Sequence, residues 1–160
     1  MKKLLIVCFA ALIISCGSKK GAFENMNKTI DEDELKGKWT VSDISFDGYR
    51  EYKVNLFNDS NTNCFLVSDW SLVANNNRGN YEITNNSCAT GKRFFIWKID
   101  PETQKFILKP TDDSYNSESG TGYSLDIKSV SPNQFILQQT LQIDGGPVNM
   151  QIKFIKTTLR

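Results

Sequence analysis

From Lys38 to Lys156 the chain alternates apolar with polar residues in short runs, and each run stops at a cluster of Asn, Asp, Gly, Ser or Pro. A side-chain period of two sends successive residues to opposite faces of a strand, and turn signals this frequent make an all-β antiparallel meander the natural reading. Eight strands are expected, at 38–46, 68–74, 79–84, 94–99, 105–109, 122–130, 134–143 and 148–156, with 52–57 read either as a strand or as a helical turn. The turns fall at the Asn-rich run 75–79, at Asp100-Pro101-Glu102-Thr103, at Ser131-Pro132-Asn133 and at Asp144-Gly145-Gly146-Pro147, while 111–121 forms a long polar loop with almost nothing apolar in it. Asn and Gly suit such turns because they tolerate positive φ.

The alternation also assigns faces. Phe95, Trp97 and Ile99 share one side, as do Tyr123, Leu125 and Ile127, then Phe135, Leu137, Leu141 and Ile143, then Val148, Met150, Ile152 and Phe154. Ser124, Asp126, Lys128, Gln138, Gln142, Asn149, Gln151 and Lys153 lie opposite. One enclosed face and one wet face fit either a closed barrel, which has no edges, or a sandwich, which must blunt them. Gln139 breaks the pattern: an amide on the apolar face costs free energy unless it is hydrogen-bonded. It orients the polar head of a ligand, or it marks a bulge, a register change or a buried water. Ahead of the first strand, Thr29-Ile30-Asp31-Glu32 has the form of a capping box, and four acidic residues, Asp31 to Glu34, sit where a helix dipole favours negative charge. One short helical turn ending near Gly37 is expected.

The N-terminus reads as an export signal. Lys2 and Lys3 precede an apolar stretch of eleven residues, 4–14, which is too short to span a bilayer. It ends in Leu12-Ile13-Ile14-Ser15-Cys16, which resembles a lipobox. That resemblance implies cleavage after residue 15 and lipidation of Cys16, whose several acyl chains anchor stably. The alternative is an ordinary signal peptide whose Cys16 pairs elsewhere. Residues 16–28 begin Cys-Gly-Ser-Lys-Lys-Gly and read as a flexible tether, followed by a single domain at 29–160. No acidic residue directly follows Cys16, which favours a periplasm-facing position at the outer membrane.

Removing Lys2 and Lys3 leaves 17 basic residues, from 19, against 18 acidic ones, and no basic stripe is visible, so nucleic acid is not an expected partner. The chain holds four cysteines: Cys8 departs with the signal and Cys16 takes lipid, which leaves Cys64 and Cys88. In an oxidising compartment two remaining cysteines imply one disulfide, and closing a loop of about 24 residues contributes on the order of 3 kcal/mol.

Gly37-Lys38-Trp39, placed after a helical turn at the start of the first strand, resembles the Gly-x-Trp signature of the lipocalins. The run from Leu56-Phe57-Asn58-Asp59 through Cys64, Trp70-Ser71-Leu72-Val73 and Asn75-Asn76-Asn77-Arg78-Gly79-Asn80-Tyr81 to Cys88 resembles the lipocalin-like lipoproteins of Gram-negative bacteria. The likeness covers 35–156 and implies an eight-stranded up-and-down barrel whose base is plugged by Trp39. In lipocalins an arginine late in the last strand covers that tryptophan, and the candidates here are Lys153, Lys156 and Arg160.

Such a barrel is either filled by side chains or holds one small ligand. A cup lined by Trp70, Leu72, Tyr81, Phe95, Trp97, Leu125, Leu137, Gln139 and Met150 would suit a small hydrophobic molecule. Catalysis is not expected, nor is a cofactor or metal. The sequence has no histidine, no Gly-x-Ser-x-Gly and no Walker motif, and Asp112-Asp113 is the one adjacent acidic pair in the β region. Two functions remain: an envelope carrier of a hydrophobic ligand, or an interaction module with a filled core that binds through the 111–121 and 58–63 loops.

Overall fold

The computed structural model describes residues 29–48, 52–117, 120–143 and 145–157. The expected signal at 1–15, the lipidated Cys16, the 16–28 tether and Arg160 lie outside those residues. Among the described residues, no helix is long and apolar enough to cross a membrane.

Helix α1 (Glu32–Leu35) opens the domain, capped by Asp31, whose Oδ1 accepts from the Glu34 amide at 3.3 Å. The cap is therefore two residues later than the capping box at Thr29 suggests, because Asp31 is itself a good cap and three acidic residues then fill the first turn. Strand β1 (Gly37–Phe46) follows. The 52–57 segment does not join the barrel. Within it only β2 (Asn55–Leu56) is paired as a strand, with β3 (Ser60–Asn61) in a separate two-stranded sheet ahead of α2 (Thr62–Phe65). The chain then runs up and down through β4 (Asp69–Val73), β5 (Arg78–Ile83), β6 (Gly91–Ile99), β7 (Lys105–Thr111), β8 (Tyr123–Ser131), β9 (Gln134–Ile143) and β10 (Gly146–Lys156).

Eight of these strands close into an antiparallel barrel in the order β1-β10-β9-β8-β7-β6-β5-β4, and β4 returns to β1 through pairs from Gly37–Leu72 to Thr40–Asp69. Each neighbour in the chain is a neighbour in the sheet, so the meander is complete and has no free edge. Two bulges adjust the period, one between Val41 and Asp43 in β1 and one between Ile127 and Ser129 in β8. Past the second bulge the inward set shifts by one, which turns Val130 onto Phe135. Gln139 sits at neither bulge: β9 and β10 pair without interruption from Gln134–Ile155 to Ile143–Gly146, and Gln139 lies half-buried opposite Met150.

The closed end is built on Trp39, which is fully buried. Its Nε1 donates to the Leu35 carbonyl at 2.8 Å, its ring meets Phe135 edge-on at 4.7 Å, and Phe135 stacks on Phe154 at 4.3 Å. The Lys156 ammonium lies 4.7 Å over the Trp39 ring, so of the candidates for this cover it is Lys156 that takes the place. Gly37 makes that possible: at φ +134° it adopts a conformation unfavourable for other residues, and a Cβ there would come within 3.2 Å of the Lys156 side chain.

Candidate ligand site at the barrel mouth

The other end is covered by the connection between β1 and β4. A tight turn joins β2 to β3, closed by the Asp59 amide donating to the Leu56 carbonyl at 2.9 Å, with Phe57 and Asn58 both at φ 54°. Those angles are those of a type I′ turn, which Asn accepts readily and Phe does not. The strained position aims the Phe57 ring into the mouth, where it meets Tyr123 at 5.2 Å, Phe65 at 5.6 Å, Trp70 at 6.0 Å and Tyr81 at 6.3 Å. Burial of a large ring against four others holds the backbone in its unfavourable state.

Two ties hold this cover down. The Cys64–Cys88 disulfide joins α2 to the loop between β5 and β6. Asp59 supplies the second: its Oδ2 accepts from the Tyr81 hydroxyl at 2.8 Å and pairs with Arg93 Nε at 2.9 Å, while its Oδ1 accepts from Arg93 Nη2 at 3.2 Å. Arg93 in turn donates to the carbonyls of Gly91 and Ala89, each at 2.7 Å. Burial pushes the Tyr81 phenol well above its ordinary range, and the adjacent Asp59 charge pushes it the same way, so the hydroxyl stays protonated as a donor.

Beneath the turn lies a cavity of about 400 Å³. Phe57, Tyr81, Phe94, Phe95, Leu108 and Pro110 give it an apolar wall, and Asp59, Lys92, Arg93, Thr111, Asp112 and Asp113 line the rest. Thr111 Oγ1, although its residue borders the cavity, is itself closed off and has no hydrogen-bond partner, the one such side-chain atom among the described residues. Asp112 is engaged by its own loop, accepting from the Ser114 and Asn116 amides at 3.0 and 2.7 Å, and Asp113 accepts from the Ser114 hydroxyl at 3.3 Å. The two carboxylates thus shape the rim. The loop that carries them is not wholly polar in its packing: Tyr115 lies edge-on to Phe94 at 5.5 Å and beneath Arg78 at 4.6 Å.

The eight apolar residues expected to line a cup are all at 4% exposure or less; Tyr81 and Phe95 border this cavity, and Trp70, Leu72, Trp97, Leu125, Leu137 and Met150 do not. Trp70 stacks on Tyr81 at 4.8 Å and meets Phe154 at 5.3 Å, and Phe95 occupies the space beside Gly79, where a Cβ would fall 2.3 Å from its ring. The lower barrel is therefore solid, and the open volume has moved up to the mouth. Phe57, Asp59, Arg93 and Thr111 were not expected there. The parity of β6 carries the missing signal, because Arg93 is on the same side as Phe95, Trp97 and Ile99, and an inward guanidinium requires a carboxylate.

The architecture is lipocalin-like. It is similar to the crystal structure of a lipocalin-like protein from Bacteroides uniformis, with a TM-score of 0.50 and 11% sequence identity, over 78% of this chain and 99% of that one. No family model and no curated protein matches the chain.

Proposed function

We propose that the chain is a membrane-anchored lipoprotein of the cell envelope, held at the periplasmic side of the outer membrane through Cys16, that binds a small hydrophobic ligand in the mouth cavity without catalysing a reaction. The observation that carries this reading is the cavity beneath the Phe57 turn, about 400 Å³ in volume with an aromatic wall. Its size falls in the usual range for small-molecule sites, roughly 300–1,000 Å³, and its lining divides between an apolar wall and a charged rim. The ligand's apolar body packs on Phe57, Tyr81, Phe95 and Leu108, with the charged groups of Lys92 and Arg93 at the edge of the same cavity. The absence of histidine from the sequence argues against imidazole-based acid–base chemistry in this site.

The solid lower barrel favours a second reading, in which the domain is a non-enzymatic interaction or structural module of the envelope and the mouth loops meet a protein. Native mass spectrometry of the chain produced in a Gram-negative envelope separates the two. Under the first reading a small-molecule adduct accompanies the folded protein and disappears on denaturation. Protein free of adduct in both spectra, and still free after incubation with host lipid extract, contradicts it.

A further inference from the structure

The outer face of the β6–β7 hairpin combines apolar and cationic side chains in a pattern that neither the cavity nor the core uses. Register places Ile96 between Arg78 on β5 and Lys109 on β7, and the next row holds Lys98 beside Ile107. Both isoleucines are half-buried, whereas Arg78 and Lys98 are exposed. A shallow groove of about 320 Å³ runs between them, lined by Asn77, Ile96, Trp97, Lys98, Ile107 and Lys109. Asp100, at the head of the β6–β7 turn, lies close enough to Lys98 for their charges to interact, and on the flanking strands Glu82 is in register with Lys92 and Asp126 holds Lys105 at 3.1 Å. No carboxylate is in register with Ile96, Ile107 or Lys109, and the face keeps a net positive charge through Arg78, Lys98 and Lys109 against Asp100.

The N-terminal segment enters beside this same hairpin. The Ile30 amide donates to Gln104 Oε1 at 2.8 Å, and Glu32 Oε1 accepts from the Ile99 amide at 3.0 Å. The twelve residues from 17 to 28 reach at most about 40 Å from that point to a lipid on Cys16. The barrel's closed end, where the segment enters, carries Asp31, Glu32, Asp33, Glu34, Asp100 and Glu102 against Lys36, Lys38 and Lys156, an excess of negative charge that an anionic surface repels. A chain tied to a bilayer at this point is therefore turned off its acidic end and onto its basic flank.

We infer that the outer face of the β6–β7 hairpin docks on an anionic phospholipid leaflet, with Arg78, Lys98 and Lys109 at the headgroup phosphates and Ile96 and Ile107 against the interface. The inference rests on the anchoring proposed above. Docked this way, the barrel lies on its side, and the mouth cavity opens along the membrane surface rather than away from it.

Lysine acetylation of the full chain on vesicles tests it. Vesicles of equal parts phosphatidylglycerol and phosphatidylethanolamine are compared with vesicles of phosphatidylcholine, and the sites are read by mass spectrometry. Labelling of Lys98 and Lys109 is expected to fall about fivefold on the anionic vesicles alone and to recover in about 1 M NaCl, while Lys38 and Lys153 on the opposite wall are unchanged. Equal labelling of Lys98 and Lys109 on the two vesicles, or protection of Lys38 and Lys153 instead, overturns the docking face. The intact mass reports separately on the anchor. If Cys16 carries no acyl chains the anchoring fails, and the same comparison with protein added from solution to the anionic vesicles then decides the face, protection supporting it and its absence overturning it.

Discussion

Arg93 on β6 and Asp59 on the β2–β3 turn meet at 2.9 Å across the barrel mouth, although 34 positions separate them in the chain. Both side chains are largely covered, at 24% and 21% exposure, so water screens the pair only in part. Replacing Asp59 with Ala strips Arg93 and the Tyr81 hydroxyl of their shared acceptor and is expected to cost about 1–2 kcal/mol. Denaturant unfolding gives the loss, and amide exchange is expected to quicken in 52–61 while the strands of the barrel keep their protection. Asp59→Asn retains an acceptor for Tyr81 and is expected to cost less.

The Tyr81 phenol gives the fold an alkaline limit. Its folded value is raised above the ordinary one of about 10, chiefly by burial, and burial raises Tyr123 as well. Below pH 10 both states hold these protons and stability does not depend on them. As pH rises past about 10 the unfolded chain releases protons that the folded chain keeps, and stability falls. Unfolding free energy measured from pH 8 to 11 is expected to drop at the upper end, and Tyr81→Phe is expected to flatten the drop.

Reduction of the Cys64–Cys88 bond, or the paired change of both residues to Ser, removes the covalent tie on the cover. The loop spans 24 residues, for which the chain-entropy account gives about 3 kcal/mol. Thermal unfolding is expected to shift down accordingly, with far-ultraviolet circular dichroism unchanged below the transition, because the eight barrel strands pair without the disulfide.

At the closed end Trp39 and Lys156 separate packing from charge. Trp39→Ala empties the fully buried plug and is expected to cost about 3–5 kcal/mol. Lys156→Ala removes a cation over the ring at an exposed site and is expected to cost about 0.5–1 kcal/mol, and Lys156→Arg close to nothing. Equilibrium denaturation of the three variants checks the ranking.

The barrel strands were legible in the sequence because burial on one face imposes a period of two, and the likeness of Gly37-Lys38-Trp39 to the lipocalin signature implied which end closes. What the sequence hid is local and depends on tertiary contact. Residues 52–57 alternate well enough to pass for a strand, yet Phe57 turns the chain at positive φ, a conformation its own propensity disfavours and four neighbouring rings impose. Which inward residues border an open volume was hidden for the same reason. Trp70, Trp97 and Met150 are inward, as the pattern indicates, but an inward residue faces a ligand only where nothing else fills the barrel, and Phe57 and Phe65 fill it from above. The Asp59–Arg93 pair was readable in part, since Arg93 holds an inward position, but its partner comes from a turn whose placement no periodicity records.

The central claim, that the mouth cavity is the ligand site, is tested most directly by titrating the folded protein with the fluorescent apolar probe 1-anilinonaphthalene-8-sulfonate and comparing Pro110→Trp with Ile155→Trp. Pro110 lines the cavity and Ile155 lies exposed on the outside of β10. Saturable binding of one probe per chain that Pro110→Trp abolishes and Ile155→Trp preserves is the predicted result. Binding that survives Pro110→Trp unchanged, with the fold intact by circular dichroism, would contradict it.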